Sequence, residues 1–312
     1  MKPALLAAAL LALPHAAGAA PRVVASILPI QSIAASVMAG VGEPGLLLKA
    51  GASPHAYSLR PSDAAMLDGA DLILWVGEGL ETFLAKPIES LGGGTKVLEL
   101  AHAPGVTLLP VREGGDWEAH GEAHGEAHGE AHGDEDGHGA RDMHLWLSTG
   151  NAAAVARAVA DGLGTIDPAN AVTYEANAAA FAGDMRALKA RLAAELAPVA
   201  DRPYVVFHDA YQYFGDAFGL NAVGSVTANP EAPPGTARIV ALRAKVETLG
   251  AVCVFAEPQF EPRLVETLTE GTKARTGTLD PLGAGLPPGP GAYARILEGM
   301  ADGLVACLGR SG

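Results

Sequence analysis

Histidine is the residue type whose placing stands out. The chain carries ten, and six fall in residues 120–144, which read HGEAHGEAHGEAHGDEDGHGARDMH. The unit His-Gly-Glu-Ala repeats and then decays into acids. Its lack of apolar bulk and its recurrent Gly exclude a packed core or a stable helix. Imidazole and carboxylate are both ligands for borderline cations such as Zn²⁺. The stretch therefore reads as an auxiliary, low-affinity metal loop carried by His120, His124, His128, His132 and His138. The competing reading is a solvated acidic linker with incidental histidines.

Four placements suggest a tighter site. His55, His144, His208 and Asp280 each sit just beyond a strand-like run or a short loop. In open α/β sheets, ligands bind beyond the carboxyl ends of the strands. Two lobes facing each other would bring all four to one cleft, and three imidazoles with one carboxylate make a tetrahedral zinc set. Three imidazoles also favour zinc over manganese, which prefers oxygen. The spacing alone is not specific, since no two of the four are near in sequence. A zinc hydrolase with water in the fourth position is compatible with three histidines. No HExxH and no general base placed by a motif supports it, so the expectation is a binding protein rather than an enzyme.

The elements that must hold these residues alternate. Residues 22–28, 45–49, 71–76 and 96–100 read as strands, with helix-like segments at 30–39 and 80–91. Ser62 or Asp63 can cap another helix through Leu67. After the histidine loop, residues 151–163 read as helix. Pro168 can sit in the first turn of a long helix to about residue 197. Tyr174, Ala178, Phe181, Met185, Leu188, Leu192 and Leu196 keep one helical face along it. Strand signals return at 203–207, 251–255 and 276–279, and 292–308 reads as a final helix. Strands alternating with helices imply parallel sheets. The expected fold is α/β: two similar lobes with parallel sheets, joined by one long helix, with the metal site in the interlobe cleft. The expected domains are a signal peptide at 1–19 and an N-terminal lobe at 20–150 with its flexible loop at about 113–143. A linking helical region follows at 151–200, with its long helix at about 168–197, then a C-terminal lobe at 201–312.

Composition narrows the class. Of the 312 residues, 49% are hydrophobic and 18% charged, which describes a globular chain. A net charge of −14 argues against nucleic acid or an anionic membrane surface as partner. The apolar run 4–13 is too short to span a bilayer, and Ala17-Gly18-Ala19 offers small residues for cleavage. No Cys follows it, so no lipid anchor is indicated, and the mature chain is expected to be exported, soluble and monomeric. In an oxidising compartment the two cysteines, Cys253 and Cys307, are expected to pair; two buried thiols are the alternative.

The motifs GASPHAYSLRPSD, DMHLWLS, FHDAYQYF and LDPLG occur in this order. Together they resemble the ZnuA-type zinc-binding proteins, among the substrate-binding proteins that feed zinc and manganese to ABC transporters. The resemblance covers essentially the whole mature chain. It implies a periplasmic protein that captures Zn²⁺ and passes it to an ABC permease and its ATPase, with periplasmic zinc donors as further partners. Manganese capture, or a periplasmic zinc buffer, is the runner-up. It also implies His55, His144 and His208 as imidazole ligands. Some zinc members carry a Glu just before the first His; here Pro54 stands there, which leaves Asp280 as fourth ligand, with water as the fallback. Arg60 and Asp63 are placed to orient the His55 loop, a surface ion pair being the plainer reading. Glu257 reads as the cap of a turn before Pro258, with entry into the cleft as the alternative.

Overall fold

The computed structural model describes residues 19–49, 51–112, 140–227, 230, 235–248, 250–260 and 263–309. The segment expected to be cleaved, up to residue 18, lies outside them, as do the loop residues His120, His124, His128, His132 and His138.

The first lobe is built on β1 (Val23–Ala25), β2 (Gly45–Leu46), β3 (Leu72–Trp75) and β4 (Lys96–Glu99). All pair in parallel, in the order β2-β1-β3-β4. Its helices are α1 (Leu28–Val37), α2 (Pro61–Asp68) and α3 (Thr82–Glu89). β3 is LILW and buried at every position, as a strand covered on both faces requires. α1 is buried at all but one residue, because it lies between its sheet and the helices that follow.

Two long helices come next, α4 (Thr149–Ile166) and α5 (Ala171–Leu196). Pro168 falls in a short 3-10 turn ahead of α5 rather than within it. The buried face of α5 is Tyr174, Ala178, Phe181, Met185, Leu188, Leu192 and Leu196, the stripe expected from spacing. Tyr174 fastens the start of the helix by donating to Asp167 Oδ2 at 2.7 Å.

The second lobe repeats the first. Its strands are β5 (Tyr204–His208), β6 (Ala222–Thr227), β7 (Cys253–Ala256) and β8 (Arg275–Thr278), parallel in the order β6-β5-β7-β8. Helices α6 (Gln212–Phe218), α7 (Thr236–Thr248) and α8 (Arg263–Thr269) connect them, and α9 (Ala292–Leu308) ends the fold. The sequence reading passed over β6. Its run AVGSVT is diluted by Gly and Ser, and it becomes a strand through pairing with β5.

In each sheet the second strand lies on one side of the first and the third on the other. Each sheet thus has a switch point, at the ends of β1 and β3 and of β5 and β7. The lobes share more than α5. One apolar core runs from β1 and β3 through α1, α4, α5 and α9 to Tyr204 and Phe255 of the second sheet. A smaller core lies on that sheet's other face, including Phe207, Val226, Leu242 and Leu268. Cys253 and Cys307 are disulfide-bonded and tie β7 to α9. Closing that 54-residue separation stabilises by about 4 kcal/mol in the chain-entropy account. No helix among the described residues is long and apolar enough to cross a membrane.

Candidate metal site

Three separated segments meet in the cleft. His208 is the last residue of β5, at the switch point of the second sheet. His144 opens a 3-10 turn, Leu145–Leu147, just before α4. His55 lies on the loop between β2 and α2. One nitrogen from each ring falls within 4.8 Å of the others. The His55 ring centre is 5.5 Å from those of His144 and His208, and the latter two are 5.2 Å apart.

Two of the rings are fixed by carboxylates. His144 Nδ1 lies 2.8 Å from Asp142 Oδ1, which also accepts the His144 amide at 2.9 Å. His208 Nδ1 lies 2.6 Å from Glu257 Oε1. Both carboxylates are buried, at 5% and 3% exposure. A carboxylate at Nδ1 places the neutral ring's proton there and turns the Nε2 lone pair the other way. The two Nε2 atoms accordingly face each other at 3.3 Å. Two buried carboxylates behind the imidazoles also offset the charge of a divalent cation, so the donor set fits zinc in type and charge.

Charge on the rings follows from their surroundings. Burial, with repulsion from His144 and then His208, pushes His55 down to about 3, so it presents a neutral lone pair at neutral pH. At His208 burial works against the charged form, but the Glu257 carboxylate outweighs it and the pKa is raised.

The segment before His144 is docked on the second lobe. Tyr213 Oη donates to the Asp142 carbonyl at 2.6 Å and accepts the Leu109 amide at 3.0 Å. Arg112 pairs with Asp209, the residue after His208. Trp146 packs beside His144, 5.4 Å between ring centres, and donates to the Pro281 carbonyl at 2.8 Å.

Asp280 stands outside the histidine set. Its Oδ1 accepts the amides of Leu282 and Gly283 at 3.1 and 2.8 Å and Gln259 Nε2 at 3.0 Å. Its Oδ2 accepts the Ala284 amide at 2.6 Å. These bonds fold the turn that holds Pro281 against Trp146. Asp63 does not touch an imidazole either. It accepts the Arg60 amide at 2.9 Å and the Tyr57 hydroxyl at 2.8 Å, capping α2 and pinning the loop two residues from His55. Arg60 is the residue ahead of α2, so neither Ser62 nor Asp63 begins it.

Sequence reasoning passed over Asp142 and undervalued Glu257. Asp142 had a local signal, two residues before His144 in DMH. Glu257 follows β7 as His208 ends β5, and the two become neighbours because β5 and β7 pair directly.

A family model, ZnuA: zinc-uptake complex component A periplasmic, matches residues 23–307. The chain is 48% identical to the high-affinity zinc uptake system protein ZnuA of Brucella suis biovar 1 (strain 1330), over 94% of this chain and 93% of that protein. It is 39% identical to the protein of the same name from Yersinia pestis, over 99% and 98% of the two chains. Its fold matches a crystal structure of ZnuA with a TM-score of 0.76 at 23% identity, covering 93% of this chain and 99% of the other. The SBP FpvC from Pseudomonas aeruginosa, in complex with Mn²⁺, matches equally at 0.76 and 24% identity, over 94% of this chain and all of the other. The last two likenesses concern the fold. With a family match that spans both lobes and all three histidines, the chain belongs to the ZnuA family of periplasmic zinc-uptake components.

Proposed function

We infer that this protein captures Zn²⁺ between its lobes in the periplasm and delivers it to an ABC permease and its ATPase for import. The observation that carries the reading is the convergence of three imidazole nitrogens, from three separate segments, within 4.8 Å. His55, His144 and His208 are the proposed ligands. Asp142 and Glu257 hold two of them in the metal-binding tautomer. Water is the proposed fourth ligand, because Asp280 is committed to its turn. Relatives of nearly the same length are named for zinc, which favours zinc over manganese. Among the described residues the carboxylates beside the histidines are paired with them, which favours transport over hydrolysis.

Capture is an exchange of protons for metal. His208 must give up any proton on Nε2 before it can ligate, and its raised pKa makes this harder as the solution acidifies. Capture is therefore strongest above the His range and falls as pH drops through it. The histidine-rich stretch is proposed as a low-affinity collector. The residues flanking it are held together beside Asp142, the Val111 amide donating to the Ala140 carbonyl at 3.0 Å.

Competitive zinc titration of the mature protein, beside a form lacking residues 118–140 and His144→Ala, tests this. One tight zinc is expected to survive loop deletion and to be lost in His144→Ala. Tight zinc that disappears with the loop would make the repeat the principal binder and overturn the three-histidine assignment.

A further inference from the structure

The two sheets offer equivalent crevices at their switch points, and they are filled differently. In the second lobe the crevice holds His208 and Glu257. In the first it holds Glu81, which is 0% exposed. Its Oε2 accepts the amides of Val76 and Gly77 at 2.8 and 3.1 Å, just past the end of β3. Its own amide and that of Leu80 donate to the Gly77 carbonyl, both at 3.0 Å. The carboxylate thus closes a turn over residues 76–81 on itself. Gly77 is required in it, since its φ is +151° and a Cβ would stand 2.7 Å from Glu99 Oε1.

This turn and the first residues of α3, which it leads into, reach the segments that carry His144 and His55. Gly79 lies against Met143, the residue before His144, so closely that a Cβ on Gly79 would be 2.7 Å from Met143 Cε. Phe83, two residues after Glu81, packs edge-on to Tyr57, with ring centres 5.2 Å apart, two residues from His55. Gly79, Leu80 and Thr82 also line the cavity that the three histidines face.

We propose that Glu81 is a positioning residue for metal capture: its buried carboxylate staples the 76–81 turn, and that turn, with the start of α3 that it anchors, sets His55 and His144 relative to each other. The inference rests on the three-histidine reading of the site. Nothing in the proposed mechanism otherwise uses Glu81. Its two backbone acceptor bonds, the Gly79 contact to Met143 and the Phe83 contact to Tyr57 just beyond the turn give it a specific task.

The test uses the full chain loaded with one equivalent of Co²⁺, whose visible d–d bands report coordination geometry, and with Zn²⁺ in competition titration. Glu81→Ala is expected to shift the Co²⁺ bands and weaken zinc binding about 10-fold, within the range for groups that orient ligands. Glu81→Gln keeps an acceptor oxygen and is expected to restore both. Leu192→Ala, on the far-running face of α5, serves as the stability control: it lowers Tm and leaves the Co²⁺ spectrum as in the parent. A Glu81→Ala protein with lowered Tm but the parent's spectrum and affinity overturns the proposal. Should Glu81→Ala not fold, Phe83→Leu carries the test, since it removes the aromatic contact from the start of α3 to Tyr57 and is expected to shift the bands in the same sense; unchanged bands there also overturn it. If the parent chain itself loses no Co²⁺ band on His144→Ala, the site reading has failed and not the role of Glu81.

Discussion

His144 and His208 are held in one way and His55 in another. The first two are buried, and each rests its Nδ1 on a carboxylate that the fold has sealed in behind it. Their segments are also latched together, through Tyr213 with Asp142 and Leu109, and through Arg112 with Asp209. His55 is half-buried on a loop, and among the described residues its ring has no hydrogen-bond partner. Two ligands of the proposed site are therefore built before metal arrives, and the third is presented by a loop held through Tyr57 and Arg60 to Asp63. The difference teaches where the cost of binding lies. The ordering entropy of the His144–His208 pair is met during folding, and the metal has to order mainly the His55 loop.

The largest effects should come from the ligands themselves. A zinc site worth roughly 12 kcal/mol shared among four ligands gives about 3 kcal/mol each, or about a hundredfold in affinity. His55→Ala and His208→Ala should both lose at least that in competitive zinc titration. Only His208→Ala should also lower the metal-free Tm, because it leaves Glu257 buried without its partner. Equal Tm losses in the two variants would end the distinction drawn here.

Next in size is Glu257→Gln. Zinc affinity at alkaline pH should fall about 10-fold, since the ring loses its orienting carboxylate. The acid limb of capture should move to lower pH, because Glu257 is what raises the His208 pKa. An acid limb that stays in place would show that His208 does not set it.

A smaller effect separates His55 in the metal-free protein. Its pKa is about 3 when folded against 6.5 in the free side chain. As pH falls below 6.5 the unfolded chain takes the proton first, so the stability tied to neutral His55 is present above 6.5 and lost toward 3. Denaturant titrations of His55→Gln should show a flatter pH dependence in that window than the parent. A curve of unchanged slope would mean that His55 is solvated when metal is absent.

The smallest effect on metal should come from Asp280→Asn. It keeps one acceptor oxygen for the turn and loses the carboxylate that takes the Ala284 amide. Tm should drop by a few degrees, as for about 1 kcal/mol in a chain of this size, with one tight zinc retained. Loss of that zinc would return Asp280 to the coordination sphere and weaken the view that water completes it.

Much of the fold was legible along the chain. The α5 stripe from Tyr174 to Leu196 and the limits of α9 are local periodicities, and residues three and four apart on a helix share a face whatever surrounds it. The apolar runs of β3 and β5 announce strands buried on both sides. His55, His144 and His208 were legible as candidates because each stands in a motif. What only the tertiary structure decided is which groups stand next to them. Glu257 reaches His208 because β7, not β6, is the strand on that side of β5, and strand order is not written in local spacing. Asp280 lies past a strand end as the histidines do, yet three amides of its own turn claim its oxygens first. Glu81 is one acid among many in the sequence, and only the closing of the 76–81 turn buries it where two amides need an acceptor. Periodicity is a property of the chain; hydrogen-bond partnership and exclusion of water belong to the packed molecule, where segments far apart in sequence compete for the same space.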